Sequence, residues 1–190
     1  MQFSNPNDNV RELGLKPGEK VVIFGSGSGG NTLAVARVLK NTGTVYGIDS
    51  RAHMVEKLKK EASEQHCMNV RIVEGNIERQ GGTSIGPLSA DVVIIPDTLF
   101  SHTNKEGIIK ESERILKPGG RMMVVEWVAS FGGAGPQPDD VFSEEASLNL
   151  AKKIGFVYDR RFSAGNYHYA VIFHKPTLEE KKRIGSITPL

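Results

Sequence analysis

The stretch Val21-Val22-Ile23-Phe24-Gly25-Ser26-Gly27-Ser28-Gly29-Gly30-Asn31 decides the fold. Its apolar run reads as a strand buried on both faces. The glycines after it let the chain bend sharply and bring peptide N–H groups close to a ligand before a helix begins. That is the outline of a site for a small, cofactor-sized molecule. The stretch by itself leaves the molecule open.

Downstream, Leu33, Val35, Ala36, Val38 and Leu39 recur at helical spacing as far as Lys40, and Asn41-Thr42-Gly43 is expected to close this helix with a left-handed Gly43. Residues 44–48 form a second β-prone run that ends on Asp49. Ser50 is placed to cap the next helix, in which Met54, Leu58 and Ala62 share a face and Glu56, Lys57, Lys59, Lys60 and Glu61 face solvent. A third strand at residues 69–74 leads into Gly75-Asn76, and residues 77–89 read as a polar, Gly-rich loop. The continuous apolar run 91–96 is a fourth strand buried on both faces, followed by a loop at 97–103. Asn104 can cap a helix carrying Ile108, Ile109, Ile115 and Leu116. Lys117-Pro118-Gly119-Gly120 stops it, and residues 121–127 are the fifth strand.

Residues 129–140 are rich in Gly and Pro and are expected to form a mobile loop over the site. Ser143, Glu144 and Glu145 mark a helix start, with Ala146, Leu150 and Ile154 on its inner face and Gly155 at its end. Residues 156–162 and 167–174 pair as an antiparallel hairpin. Before the first strand, residues 1–19 are expected to cover the ligand site or the sheet edge. Past residue 175 a charged tail is expected to fray or to form a short helix at 178–184.

Alternating strands and helices imply an α/β fold with five parallel strands covered on both faces, plus the C-terminal antiparallel hairpin, making seven strands. Right-handed crossovers then bring the strand ends Gly25, Asp49, Asn76 and Pro96 to one edge, where open α/β sheets bind ligands.

A chain of 190 residues, 38% of them hydrophobic, supports one domain, placed at residues 1–175 with a tail at 176–190. The formal charge of +2 gives no general case for a nucleic-acid or anionic-membrane partner. The single cysteine, Cys67, excludes an internal disulfide and points to a reducing, cytoplasmic location. The N-terminus lacks a secretory apolar core, and no run approaches the roughly 18 apolar residues of a membrane span.

Gly25, Gly27 and Gly30 satisfy the G-x-G-x-x-G pattern of dinucleotide sites, with Asp49 near the spacing of a ribose-binding acid, while Gly25, Gly27 and Gly29 equally satisfy a G-x-G-x-G loop. The remainder of the chain separates the two. The stretches Leu15 to Gly29, Val45-Tyr46-Gly47-Ile48-Asp49, Val73-Glu74-Gly75-Asn76, Ala90 to Ile94, Leu116-Lys117-Pro118-Gly119-Gly120 and Ala151 to Phe156 match in order and spacing. On these, the chain resembles the class I S-adenosylmethionine-dependent methyltransferases, particularly the small single-domain group that includes ubiquinone and menaquinone methyltransferases. The Tyr-x-x-x-Lys pair of short-chain dehydrogenases does not occur.

The resemblance implies a Rossmann-like fold, S-adenosyl-L-methionine as cofactor, and roles for particular residues. Gly25, Gly27 and Gly29 would let the backbone approach the methionine and ribose portions, and Asp49, with Ser50 beside it, would take the two ribose hydroxyls. Asn76 would contact the adenine amino group and Ile77 would offer an N–H and an apolar surface to the ring. One position departs from the family pattern: Ile23 stands where an acid is usual, and Glu126 or Asp97 is expected to compensate from neighbouring strands. Catalytic candidates are Asp97 and His102. Glu126 and Trp127 are further acceptor-facing candidates, with Tyr167 and His168 more remote. Trp127 is expected to pack under the 129–140 loop, and the acceptor pocket to be built from the N-terminal segment and the 97–103 and 129–140 loops. The acceptor is expected to be a small molecule, and lone Cys67 argues against the multi-cysteine arsenic methyltransferases. A non-catalytic cofactor-binding or assembly protein, and a nicotinamide-dependent enzyme, stay open as alternatives.

Overall fold

The computed structural model describes residues 4–40 and 42–186, with the side chains of 184–186 left aside. Thirteen principal elements follow the order α1 Pro6–Leu13, β1 Lys20–Phe24, α2 Gly30–Leu39, β2 Thr44–Asp49, α3 Ala52–Glu64, β3 Val70–Glu74, β4 Ala90–Pro96, α4 Lys105–Ile115, β5 Leu116–Trp127, α5 Glu144–Ile154, β6 Val157–Ser163, β7 His168–His174 and α6 Leu178–Ser186. They build one seven-stranded sheet in the order β3-β2-β1-β4-β5-β7-β6. The first five strands are parallel, and β7 and β6 are antiparallel. This is the Rossmann-like architecture expected from the alternation of elements.

Alternation along each strand divides the core between the two sheet faces. Val22, Phe24, Val93, Ile95 and Val124 pack with residues of α4 and α5. Val21, Ile23, Val92, Ile94 and Met123 pack with residues of α1 and α2. Ile23 is fully buried on the second face, so the position where relatives of the resembled family carry an acid is here a core contact.

Several local expectations are corrected. Residues 6–13, read only as a cover, form a helix: Asn5 caps it by accepting from Asn7 N–H, Pro6 starts it, and Val10 and Leu13 bury its inner face. The left-handed closure of α2 falls on Lys40 (φ 50°), not Gly43; Asn41 lies outside the described residues. Gly43 is required instead by proximity, since a Cβ there would collide with the Glu19 carbonyl. In α3 the inner face is Val55, Leu58 and Ala62, with Met54 only half-buried. The cap position is Arg51 rather than Ser50, and it makes no side-chain capping bond. The Lys117–Gly120 turn is absorbed into β5 as a register shift: Leu116 pairs with Ala90, and the regular ladder resumes at Arg121 opposite Val92. The tail helix α6 forms behind a capping box, in which Thr177 Oγ1 accepts from Glu180 N–H and the Glu180 carboxylate accepts from Thr177 N–H. The expectation of fraying at residues 187–190 lies outside the described residues.

The 77–89 loop is polar in sequence, yet it is anchored. Glu111 of α4 is fully buried and accepts hydrogen bonds from Gly81 N (2.8 Å), Thr83 Oγ1 (2.5 Å) and Arg114 Nε (2.7 Å). Burial pushes its carboxyl up, but hydrogen bonds from Arg114, Thr83 and Gly81 outweigh that and hold it below the ordinary 4.5. A depressed carboxyl stabilises the fold above its unfolded value, and that contribution fades as pH falls through the folded value. Glu111→Gln is therefore expected to cost about 3 kcal/mol at neutral pH, as for breaking a buried ion pair. Urea denaturation measures this, and the gap from wild type should close as the buffer is taken below pH 4.5.

Candidate functional site

The carboxyl ends of β1, β2, β3 and β4 open into a cleft of about 640 Å³, within the range of small-molecule sites. Gly25, Asp49, Asn76 and Pro96 all line it, so the four strand ends named from the sequence do converge. Gly27, Ser50, Ile77, Asp97 and His102 line it as well. Gly29, by contrast, is not among the residues lining the cleft; it is the left-handed residue (φ 89°) from which α2 starts.

Two glycines are forced by contact as well as by backbone conformation. Gly25 has φ +69°, and a Cβ there would lie 2.5 Å from Thr98 Oγ1. A Cβ on Gly29 would collide with the Leu58 side chain of α3. The glycine loop is therefore clamped between the chain after β4 on one side and α3 on the other.

Asp49 ties the loop to β2. Its side chain is 3% exposed, and Oδ2 accepts from Gly27 N at 3.0 Å. Oδ1 accepts from Arg51 N (3.0 Å) and Arg51 Nε (2.9 Å), while Arg51 Nη2 donates to Oδ2 at 3.0 Å. Burial pushes this carboxyl up, and the hydrogen bonds from Arg51 and Gly27, with the Arg51 charge, more than reverse it and leave Asp49 ionised below the usual carboxylate range. Arg51 carries no special mark in the sequence. Its role emerges only once the helix start is folded back toward the strand end.

Beyond the end of β3, Asn76 Oδ1 accepts from Glu78 N at 2.9 Å, an Asx turn that sets the path of the loop. Ile77 is buried beneath it. Glu78 in turn accepts from Asn104 N at 2.8 Å and so joins this loop to the start of α4.

The opposite wall is the chain after β4. Asp97 has φ +47°, unusual for a non-glycine, and its half-exposed side chain places Oδ1 3.0 Å from His168 Nε2. His102 Nδ1 lies 2.8 Å from the Thr98 carbonyl; since a carbonyl only accepts, Nδ1 is the donor there, a tautomer that in the neutral ring places the lone pair on Nε2.

Three expectations for this wall are revised. Glu126 does not reach the cleft: it is fully buried, and its Oε1 accepts from Thr98 N (2.7 Å) and Leu99 N (2.5 Å), fixing the loop after β4. It is thus unable to stand in for the acid missing at Ile23, whereas Asp97 does line the cleft. The 129–140 loop contributes no residue to the cleft wall; it folds back on Trp127, with Gly135 against the indole and Phe131 6.3 Å from it between ring centroids. Trp127 accordingly packs under the loop, as expected, with His168 at 4.3 Å on its ring. Tyr167 meets Phe131 edge-on at 4.6 Å in the same cluster, beside the cleft and not in it.

These features fit an adenosine-bearing cofactor. A buried carboxylate at the end of β2, a glycine loop that a Cβ would fill, and Ser26 Oγ and Asn31 Oδ1 buried at the cleft without hydrogen-bond partners together supply acceptors and space where a polar ligand would be held. Among the described residues, no group of three or more His, Cys, Asp or Glu could hold a metal, and no helix is long and apolar enough to cross a membrane.

Burial and the charge of Asp97 push the Glu126 carboxyl up to about 8, against lowering by the N–H groups of Leu99, Thr98 and Phe100. The folded state thus holds a proton that the unfolded chain sheds above 4.5, so this group costs stability as pH rises from 4.5 toward 8. Glu126→Gln is expected to remove that part of the dependence, giving a flatter profile of thermal midpoint against pH over this range than wild type.

Comparison with known proteins identifies the family. The family described as "Methyltransferase domain" matches residues 15–164. An arsenite methyltransferase of Halobacterium salinarum is 29% identical over 134 residues, covering 70% of this chain and 32% of the relative. A ubiquinone/menaquinone biosynthesis C-methyltransferase (UbiE) of Haemophilus ducreyi is 29% identical over 170 residues, covering 89% of this chain and 63% of the relative. The chain thus spans less than two thirds of the length of either. Among solved structures, an S-adenosylmethionine-dependent methyltransferase from Aquifex aeolicus superposes with a TM-score of 0.82 at 22% identity, over 90% of each chain, a likeness of fold. With the domain family covering residues 15–164 and a solved methyltransferase superposing over 90% of each chain, the chain belongs to the class I S-adenosylmethionine-dependent methyltransferase family.

Proposed function

We propose that the protein transfers the methyl group of S-adenosylmethionine to a small-molecule acceptor. The observation that carries this reading is the buried, ionised Asp49 at the end of β2, hydrogen-bonded to the glycine loop and lining the same cleft as Asn76. Asp49 would accept from the ribose hydroxyls, Gly25, Gly27 and Gly29 would give the backbone room at the methionine and ribose portions, and Ser50, Asn76 and Ile77 would border the ribose and adenine. The bound cofactor supplies an activated methyl group. The chain's own work is then to hold the acceptor in line with it and to keep water away.

Asp97 and His102 are the acceptor-side groups. His102, with Nδ1 committed to the Thr98 carbonyl, has an Nε2 lone pair suited to taking a proton from an acceptor that must lose one. Asp97 lies at the cleft wall with His168 behind it. Relatives named for quinone and arsenite methylation support a small-molecule acceptor. With Cys67 alone, the chain has no set of soft thiolates to hold arsenic, so the quinone-like direction is favoured. A single free thiol also agrees with a reducing, cytoplasmic compartment.

Isothermal titration with S-adenosylmethionine and S-adenosylhomocysteine tests the cofactor, and S-adenosylhomocysteine release across a panel of quinols, phenols and amines tests turnover. Asp49→Ala is expected to weaken cofactor binding by at least about tenfold, as for loss of hydrogen bonds to a charged acceptor. His102→Ala is expected to lower turnover by roughly 100-fold or more on an acceptor that needs deprotonation, with cofactor affinity unchanged. Cofactor binding with no release from any acceptor would instead favour the non-catalytic reading.

A further inference from the structure

Asp49 is saturated by donors. A carboxylate offers about four lone-pair sites, and here they meet Gly27 N, Arg51 N, Arg51 Nε and Arg51 Nη2, all at 2.9–3.0 Å. Two of these donors are backbone groups fixed by the glycine loop and the start of α3. The other two are the fork of one guanidinium, whose side chain is 55% exposed while the carboxylate is 3% exposed. The vicinal hydroxyls of a ribose also present two donors side by side. They need the same two positions.

Arg51 is otherwise a poor choice for its place. It is the cap residue of α3, where a short oxygen-bearing side chain would satisfy a free N–H, and Arg makes no such bond. A cation at a helix N-terminus also opposes the helix dipole. The bidentate pairing with Asp49 is the favourable interaction that offsets both faults.

We propose that Arg51 is a built-in competitor of the cofactor's ribose. Its guanidinium holds Asp49 until the diol displaces it, and the residue thereby sets the affinity of the cleft for adenosine-bearing ligands. The exposed side chain has room to swing into solvent, while the two backbone donors stay and keep Asp49 oriented. Methyl donor and demethylated product carry the same ribose, so the competition weakens both by a common factor. It lowers the occupancy of the product as well as that of the donor, and so favours turnover at the release step. This inference rests on the cofactor reading given above.

The test is calorimetric titration of S-adenosylhomocysteine and of 5′-methylthioadenosine, which keeps the ribose and lacks the amino-acid portion, into wild type, Arg51→Ala and Arg51→Lys. Arg51→Ala should bind both ligands more tightly, by roughly two- to fivefold, the range for a half-exposed ion pair. The factor should be the same for the two ligands, and Arg51→Lys should fall between, because an ammonium gives a point charge without the fork. In parallel, the Arg51 Nε–H resonance of wild type should shift on addition of S-adenosylhomocysteine as its carboxylate partner is lost. Equal or weaker binding by Arg51→Ala, or an Nε–H resonance that does not move, overturns the proposal while leaving the cofactor reading standing. Failure of wild type and both variants to bind either ligand at millimolar concentration overturns that reading and the proposal with it.

Discussion

The structure depends on keeping one ionised carboxylate, Asp49, dry at the end of a central strand. A buried charge is tolerable only when its lone pairs are filled, and here the donors come from the glycine loop after β1 and from the cap residue of α3. The requirement therefore couples the β1–α2 turn to the β2 terminus and the α3 start, some 22 residues further along the chain. Gly29 is pressed against Leu58 of that same helix. The loop geometry and the carboxylate position are thus one constraint seen from two sides.

A second buried carboxyl group, this one holding its proton, does similar work on the wall after β4. Glu126 accepts from the backbone of Thr98 and Leu99, and Thr98 Oγ1 in turn donates to the Pro96 carbonyl at 2.7 Å while abutting Gly25. The wall that carries Asp97 and His102 is held by this arrangement. A third, Glu111, secures the loop that follows Asn76. In each case a loop that reads as polar and irregular is made rigid by a carboxyl group on a neighbouring element, because only a multi-acceptor group can satisfy several adjacent N–H groups at once.

The division of polar work explains the one departure from the family pattern. At position 23 the strand turns its side chain toward α1 and α2, and Ile23 fills that interface. The glycine loop keeps its shape without an acid there, because Asp49 reaches Gly27 directly. Asp97, held at positive φ beside His168, lines the cleft wall with Asp49 and Glu78.

The order of strands and helices, the parallel sheet with its terminal hairpin, and the converging strand ends were all legible in the sequence. They follow from local periodicity and from the short range over which a crossover can return to its sheet. The residues at Gly25, Gly27, Asp49 and Asn76 were legible for the same reason, since each ends a strand or lies within three residues of its end. What tertiary structure alone decided was which polar groups face one another. That Arg51 grips Asp49 and that the 129–140 loop folds back over Trp127 depend on how the backbone turns locally, and that Glu126 turns inward to the backbone after β4 depends on a contact between segments 28 residues apart. Hydrogen bonds are directional and short-ranged, so sequence spacing carries no record of them until the sheet has set the distances.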